Sequence, residues 1–153
     1  MIGLAAPAGA SAATKTWAGT TDGDGQIAMD VKVNKKGVPK KITELRGVHL
    51  PGICDTSGSG IPLNTRIPSA IKVDGKGEFS FTRTDPTYGN TSSIEGKFSG
   101  KKLKKVKGTF VYANHFPAED GYPEENCHTD ELGYTAKKGA PDVVFPTRAA
   151  RRR

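Results

Sequence analysis

Gln26-Ile27-Ala28-Met29-Asp30-Val31-Lys32-Val33 sets Ile27, Met29, Val31 and Val33 on one side of an extended chain and Asp30 and Lys32 on the other. A period of two is what a half-buried antiparallel strand requires, and it does not match the 3.6-residue period of a helical stripe. Turn chemistry bounds the segment on both sides. Thr21-Asp22-Gly23-Asp24-Gly25 precedes it and Asn34-Lys35-Lys36-Gly37 follows, each with a glycine suited to positive φ.

The same grammar extends in both directions. Residues 15–20 read as a first strand carrying the single tryptophan, Trp17. Ile42, Leu45, Val48 and Leu50 read as a third strand; the three-residue step from Ile42 to Leu45 predicts a bulge or register shift near Glu44. Gly47, with Pro39 and Pro51 flanking, argues against a helix there. Residues 52–60 read as a loop holding Cys54. Residues 61–67 and 71–73 read as short strands that Pro62 and Pro68 interrupt and confine to edges or bulges. After the turn Asp74-Gly75-Lys76-Gly77 come a strand over 78–82, with Phe79 and Phe81 on one face, and a polar loop over 83–92. Residues 93–99 and 104–112 then form a hairpin around Gly100-Lys101-Lys102, with Lys105, Lys107 and Thr109 facing water. A Pro-containing acidic loop runs to Asn126, and Leu132, Tyr134 and Ala136 alternate in a last strand. Short strands at this spacing predict an all-β fold, an antiparallel β-sandwich or a small β-barrel.

Composition agrees with one core. The 153 residues include 19 Gly and 10 Pro, and a chain of this length buries roughly 68% of its unfolded surface in a single domain. No apolar run approaches the ~20 residues of a membrane-spanning helix. Residues 1–12 end in Ala10-Ser11-Ala12, the small-x-small form of a signal-peptidase site, so they read as a leader and predict export to the medium or cell envelope. Residues 13–139 read as one β domain and residues 140–153 as a basic disordered tail. Cys54 and Cys127 are the two partners needed for one disulfide in such a compartment.

The formal net charge of +7 favours anionic partners, and the charge is unevenly spread. Arg148 and Arg151 to Arg153 crowd the C-terminus, and Lys101, Lys102, Lys104, Lys105 and Lys107 form a second cluster. Residues 113–136 contain Glu119, Asp120, Glu124, Glu125, Asp130 and Glu131 with no Lys or Arg, which predicts an electrically polarised molecule.

The order Trp17-Ala18-Gly19-Thr20, an alternating strand, a mid-chain Cys loop, Ile-Pro, Gly77-x-Phe79-Ser80-Phe81, Ile94-x-Gly96-x-Phe98-Ser99-Gly100, Gly108-Thr109-Phe110 and a Cys before a terminal strand resembles exported bacterial β-proteins of unknown function, of the soil actinobacterial type. The resemblance spans residues 17–136. It implies a β-fold and secretion and brings no functional residues with it.

Catalytic patterns are weak. Asp55-Thr56-Ser57-Gly58-Ser59-Gly60 lacks the second copy of an aspartic-protease dyad and the G-x-S-x-G of a serine nucleophile elbow. Asp22 and Asp24 lack the remaining ligands of a calcium loop. His49, His115 and His128 are the candidates for acid–base work. A zinc site from Cys54, Cys127 and two histidines is disfavoured, because Cys127 and His128 as strand neighbours face opposite ways. No cofactor, catalytic set or metal set is predicted, and there is no helix-turn-helix, zinc finger or aromatic RNA-binding stretch. The acidic loop, as the longest irregular stretch, is where a binding function would sit. Three functions follow as expectations: a non-enzymatic secreted or cell-envelope binding or structural module; a hydrolase using His115 or His128 with acidic-loop carboxylates; and a protein that binds an anionic extracellular polymer through Lys101 to Lys107 and the Arg-rich tail. Against the last reading stands a plainer one, in which the same lysines form a solvated face that maintains solubility and guards a strand edge.

Overall fold

The computed structural model describes residues 13–146; the predicted leader, residues 1–12, and the Arg-rich terminus, residues 147–153, lie outside the described residues. Nine strands follow one another: β1 (Ala13–Thr21), β2 (Gln26–Val33), β3 (Pro39–Cys54), β4 (Gly60–Lys72), β5 (Glu78–Thr84), β6 (Thr91–Ser99), β7 (Lys105–Phe116), β8 (Glu125–His128) and β9 (Leu132–Lys138). All pairings are antiparallel, in the order β4-β3-β2-β1-β9-β7-β6-β5. The chain therefore meanders from β1 out to β4 and back from β5 to β9, and the first strand pairs the last. β4 and β5 approach each other without a ladder, linked by the Arg83 guanidinium donating to the Pro68 carbonyl at 3.1 Å. The result is a single curled antiparallel sheet, neither two packed sheets nor a fully closed barrel.

β2 occupies the predicted residues, and the bulge falls as predicted: Asp30 faces Glu44 while Val31 faces Ile42, leaving Thr43 unopposed. Three expectations need correction. β4 is one strand, uninterrupted by its prolines, because it lies at the end of the sheet order, where a missing N–H breaks no ladder. β3 does not give way to a loop at Gly52 but continues to Cys54. Part of the predicted acidic loop, Glu125–His128, is β8. That short strand pairs with the end of β3 on one side and of β7 on the other, beyond the ends of β2, β1 and β9. Cys54 faces Cys127 directly across this pairing, and the two form a disulfide.

Inside the curl, Trp17, Met29, Leu45, Phe98, Val106 and Phe110 are fully buried. Trp17 meets Phe98 edge-on, 5.2 Å between ring centres, and its indole N–H donates to the Leu103 carbonyl at 3.3 Å, which ties the β6–β7 turn under the core. Tyr134 lies across Gly96 and Gly108, where a side chain of their own would collide with its hydroxyl and with the Glu95 carbonyl respectively. Its hydroxyl donates to the Glu95 carbonyl at 3.1 Å, and burial pushes the phenol's pKa up. Tyr134→Phe is expected to cost about 1 kcal/mol, the net worth of a buried hydrogen bond, measured as a lower midpoint of urea unfolding with an unchanged slope.

The outer face of β1, β2 and β3 is also covered. Ala18, Ala28 and Arg46 are opposed in one outward row, yet they are only 1%, 0% and 5% exposed. The segment after β9 returns across this row. The Gly139 N–H donates to the Thr16 carbonyl, Arg46 pairs with Asp142 at 3.1 Å, and Phe145 lies under the Arg66 guanidinium at 4.9 Å. Two alanines in the row leave the space for this strap. Arg46 also pairs with Asp30 and Glu44, each at 2.8 Å. The hydrogen bond from Arg46 holds the Asp30 carboxyl below the usual carboxylate range, against the opposing effect of burial.

Candidate anion-binding face

A meander reverses at every turn, so alternate turns lie at opposite ends of the curl. The β2–β3, β4–β5 and β6–β7 turns share one end with the start of β1 and the finish of β9. The β1–β2, β3–β4 and β5–β6 turns share the other with β8 and the loops around it. All sixteen lysines of the sequence fall in the turns and strand ends of the first group. Ten of the sixteen carboxylates, Asp22, Asp24, Asp55, Asp85, Glu119, Asp120, Glu124, Glu125, Asp130 and Glu131, fall in the second. The predicted polarity thus runs along the axis of the fold, between a lysine end and a disulfide end.

Register sharpens the lysine end. Lys32 is directly opposite Lys41, and Lys41 opposite Lys72. Lys97 is opposite Lys107, and Lys105 opposite Lys137. Each of these side chains is exposed, and like charges directly opposed across a ladder cost a few tenths of a kcal/mol or more per pair. Lys101 and Lys102 lie in the 3₁₀ turn between β6 and β7, with Lys104 just after it. Among the described residues one lysine forms an ion pair, Lys97 with Glu78 at 3.1 Å. The nearby carboxylate of Asp74 accepts the backbone N–H groups of Glu78 and Lys76, each at 2.8 Å. Those bonds hold its pKa down and engage one of its oxygens in the turn. Edge protection does not account for Lys105 and Lys107, because β7 is paired on both sides by β6 and β9.

The other predicted residues scatter over the disulfide end. His115 meets Asn126 at 2.8 Å and Glu124 of the acidic loop at 3.1 Å. His128 meets Asp55 at 2.9 Å, on the side of β8 opposite Cys127. His49 occupies the irregular step between Gly47 and Leu50 with φ of 52°, and its N–H donates to the Asn64 side chain. The three histidines do not meet in one site: the rings of His115 and His128 have separate partners, and His49 is tied only through its backbone N–H. The Cys54 and Cys127 sulfurs are bonded to each other, so neither offers the thiolate that a zinc ligand requires. Asp22 spends an oxygen on the Gly133 N–H, anchoring the β1–β2 turn to β9.

No family model, curated protein or solved structure matches this chain. Function must therefore be argued from the arrangement itself. Sequence reading found the cluster Lys101 to Lys107 but missed Lys32, Lys41, Lys72, Lys97 and Lys137, which are distant in sequence and become neighbours only through strand register.

Proposed function

We propose that this chain is a non-enzymatic secreted or cell-envelope β-module that holds an anionic polymer against its lysine end. What supports this most is the set of opposed lysines: four like-charged pairs that the fold tolerates at a cost to itself, with only Lys97 of them in an ion pair among the described residues. Arranged on an outer face and around three turns, they form a broad surface on which Lys72, Lys97 and Lys107, with Glu78 and Glu95, border an open hollow of about 650 Å³, suited to a flexible chain of repeated negative charges. The disulfide fits an oxidising compartment, where anionic wall and matrix polymers are found, and no helix of the described residues is long and apolar enough to cross a membrane.

The test uses fluorescently labelled inorganic polyphosphate and anisotropy over a range of salt concentrations. Binding to the unmodified protein is expected to weaken linearly on a log–log plot. A phosphate-contacting lysine contributes roughly 0.7 to that slope on a single strand, so replacing Lys101, Lys102, Lys105 and Lys107 by Gln should flatten it by up to about 3. The same variant should be as stable as the parent or slightly more so, because two opposed pairs are relieved. Unchanged affinity in the four-lysine variant, or binding indifferent to salt, would mean that the lysine end does not hold the polymer.

A further inference from the structure

The disulfide end carries a feature of the opposite kind. Between the end of β7 and β8 the chain makes a tight Glu119-Asp120-Gly121-Tyr122 turn, closed by paired backbone bonds between Glu119 and Tyr122 with Gly121 at φ of 85°. The turn presents Tyr122, 75% exposed as a residue, beside Phe116, another exposed aromatic. Behind them lies a cleft of about 310 Å³, floored by the Cys54–Cys127 disulfide and Ile61, walled by Phe116 and Tyr122, and rimmed by Glu119 and Glu125. A second cleft of about 500 Å³ shares Ile61 and Phe116 with the first and continues past the side-chain amides of Asn64 and Asn114.

We infer that these adjoining clefts form a second binding site, distinct from the lysine end, for a basic peptide segment of a partner protein that carries a bulky apolar side chain. Each part of the ligand has its counterpart. The first cleft takes the apolar side chain, since exposed aromatics around an apolar hollow are the usual anchors of recognition. The amides of the second cleft match the polar backbone of an extended peptide. The charge comes from the surroundings: residues 113–136 hold six carboxylates and no Lys or Arg. A ligand bearing negative charge would be repelled from this end, and a neutral one would leave Glu119 and Asp120, whose carboxylates pair with nothing among the described residues, uncompensated. The cleft is held by covalent and hydrogen bonds rather than by packing alone. The disulfide fixes β8 to β3, Glu125 accepts the Ser57 N–H at 2.8 Å, and His115 joins Asn126 and Glu124 to β7.

The probe is the capped pentapeptide lysine-phenylalanine-lysine-proline-lysine, titrated calorimetrically into the full chain at low salt. A saturable Kd of about 100 μM is expected, a reasonable strength for one apolar anchor aided by charge. Replacing the peptide's phenylalanine by alanine, or Tyr122 by Ala in the protein, should weaken it about tenfold; Tyr122 is exposed, so the variant keeps its fold. Glu119→Gln should weaken it about threefold, and only at low salt. The four-lysine variant described above should bind the peptide as the parent does, so the two sites stand or fall separately. Absence of binding, equal binding of the same peptide with glutamate in place of lysine, or indifference to Tyr122→Ala would each overturn the inference. Concentration-dependent dimerisation of the parent that Tyr122→Ala abolishes would overturn it too, by making the lysine end of a second copy the occupant.

Discussion

Replacing Arg46 by alanine is expected to lower the stability of the fold by about 3 kcal/mol, the cost of removing one partner from a buried ion pair. Arg46 is almost completely buried and faces Asp30, Glu44 and Asp142. Its loss would strand the first two carboxylates beneath a strap that has lost one of its ties, the Arg46–Asp142 pair. Urea unfolding measures the loss, and faster proteolysis after β9 would report the freed strap. The arginine's size should matter less than its charge. Its Nε is buried with no acceptor among the described residues, so Arg46→Met combined with Asp30→Asn and Glu44→Gln should recover much of the stability. The pH dependence follows from Asp30, whose pKa is lowered in the folded state, first by its hydrogen bond from Arg46. A lowered carboxyl contributes stability that is fully present above its ordinary unfolded value of 3.8 and is lost as pH falls through the folded value. The parent should therefore lose stability below about pH 4, and Arg46→Ala should show a shallower acid limb.

The second large effect is expected from the disulfide. Cys54 and Cys127 are 73 residues apart, and the chain-entropy model assigns a loop of that size about 4 kcal/mol. That is a large part of the ~5 to 15 kcal/mol by which domains are stable. Replacing both cysteines by alanine should lower Tm by roughly 10 to 15 °C for a chain of this length. The damage should begin locally. β8 has four residues and one inward apolar side chain, Cys127, so hydrogen exchange should rise first in Glu125–His128 and at the end of β3. If the double variant melts with the parent, the bridge is an accessory, and the disulfide end is held by the Thr129 N–H donating to the Tyr112 carbonyl, the Tyr112 N–H donating to the Thr129 hydroxyl, and the bonds across β8.

What could be read from the sequence was what local periodicity encodes. The alternation in Gln26–Val33, the hairpin of β6 and β7 and the bulge beside Glu44 all rest on neighbours within one or two strands, and the cysteine pair rests on counting. β8 escaped because Glu-Asn-Cys-His has no alternating apolar pattern; it is a strand because β3 and β7 both offer it a ladder. The continuity of β4 escaped because a proline reads as a break until the strand's unpaired edge is known. The strap escaped because Asp142 and Phe145 look like ordinary tail residues until Arg46 and Arg66 are placed on the outer face. The candidate site was half legible. Lys101 to Lys107 form a run, whereas the opposition of Lys32, Lys41 and Lys72, or of Lys105 and Lys137, depends on register between strands far apart in the chain.

On this reading an anionic polymer is held at the lysine end and nowhere else on the described surface. Amide chemical shifts of ¹⁵N-labelled protein, followed as unlabelled polyphosphate is added, test it most directly. Shifts concentrated around Lys35, Lys36, Lys76, Lys101, Lys102, Lys105 and Lys137, with the amides of 113–131 unmoved, are the expected result. Shifts centred on the disulfide end, or spread evenly over both ends, would contradict it.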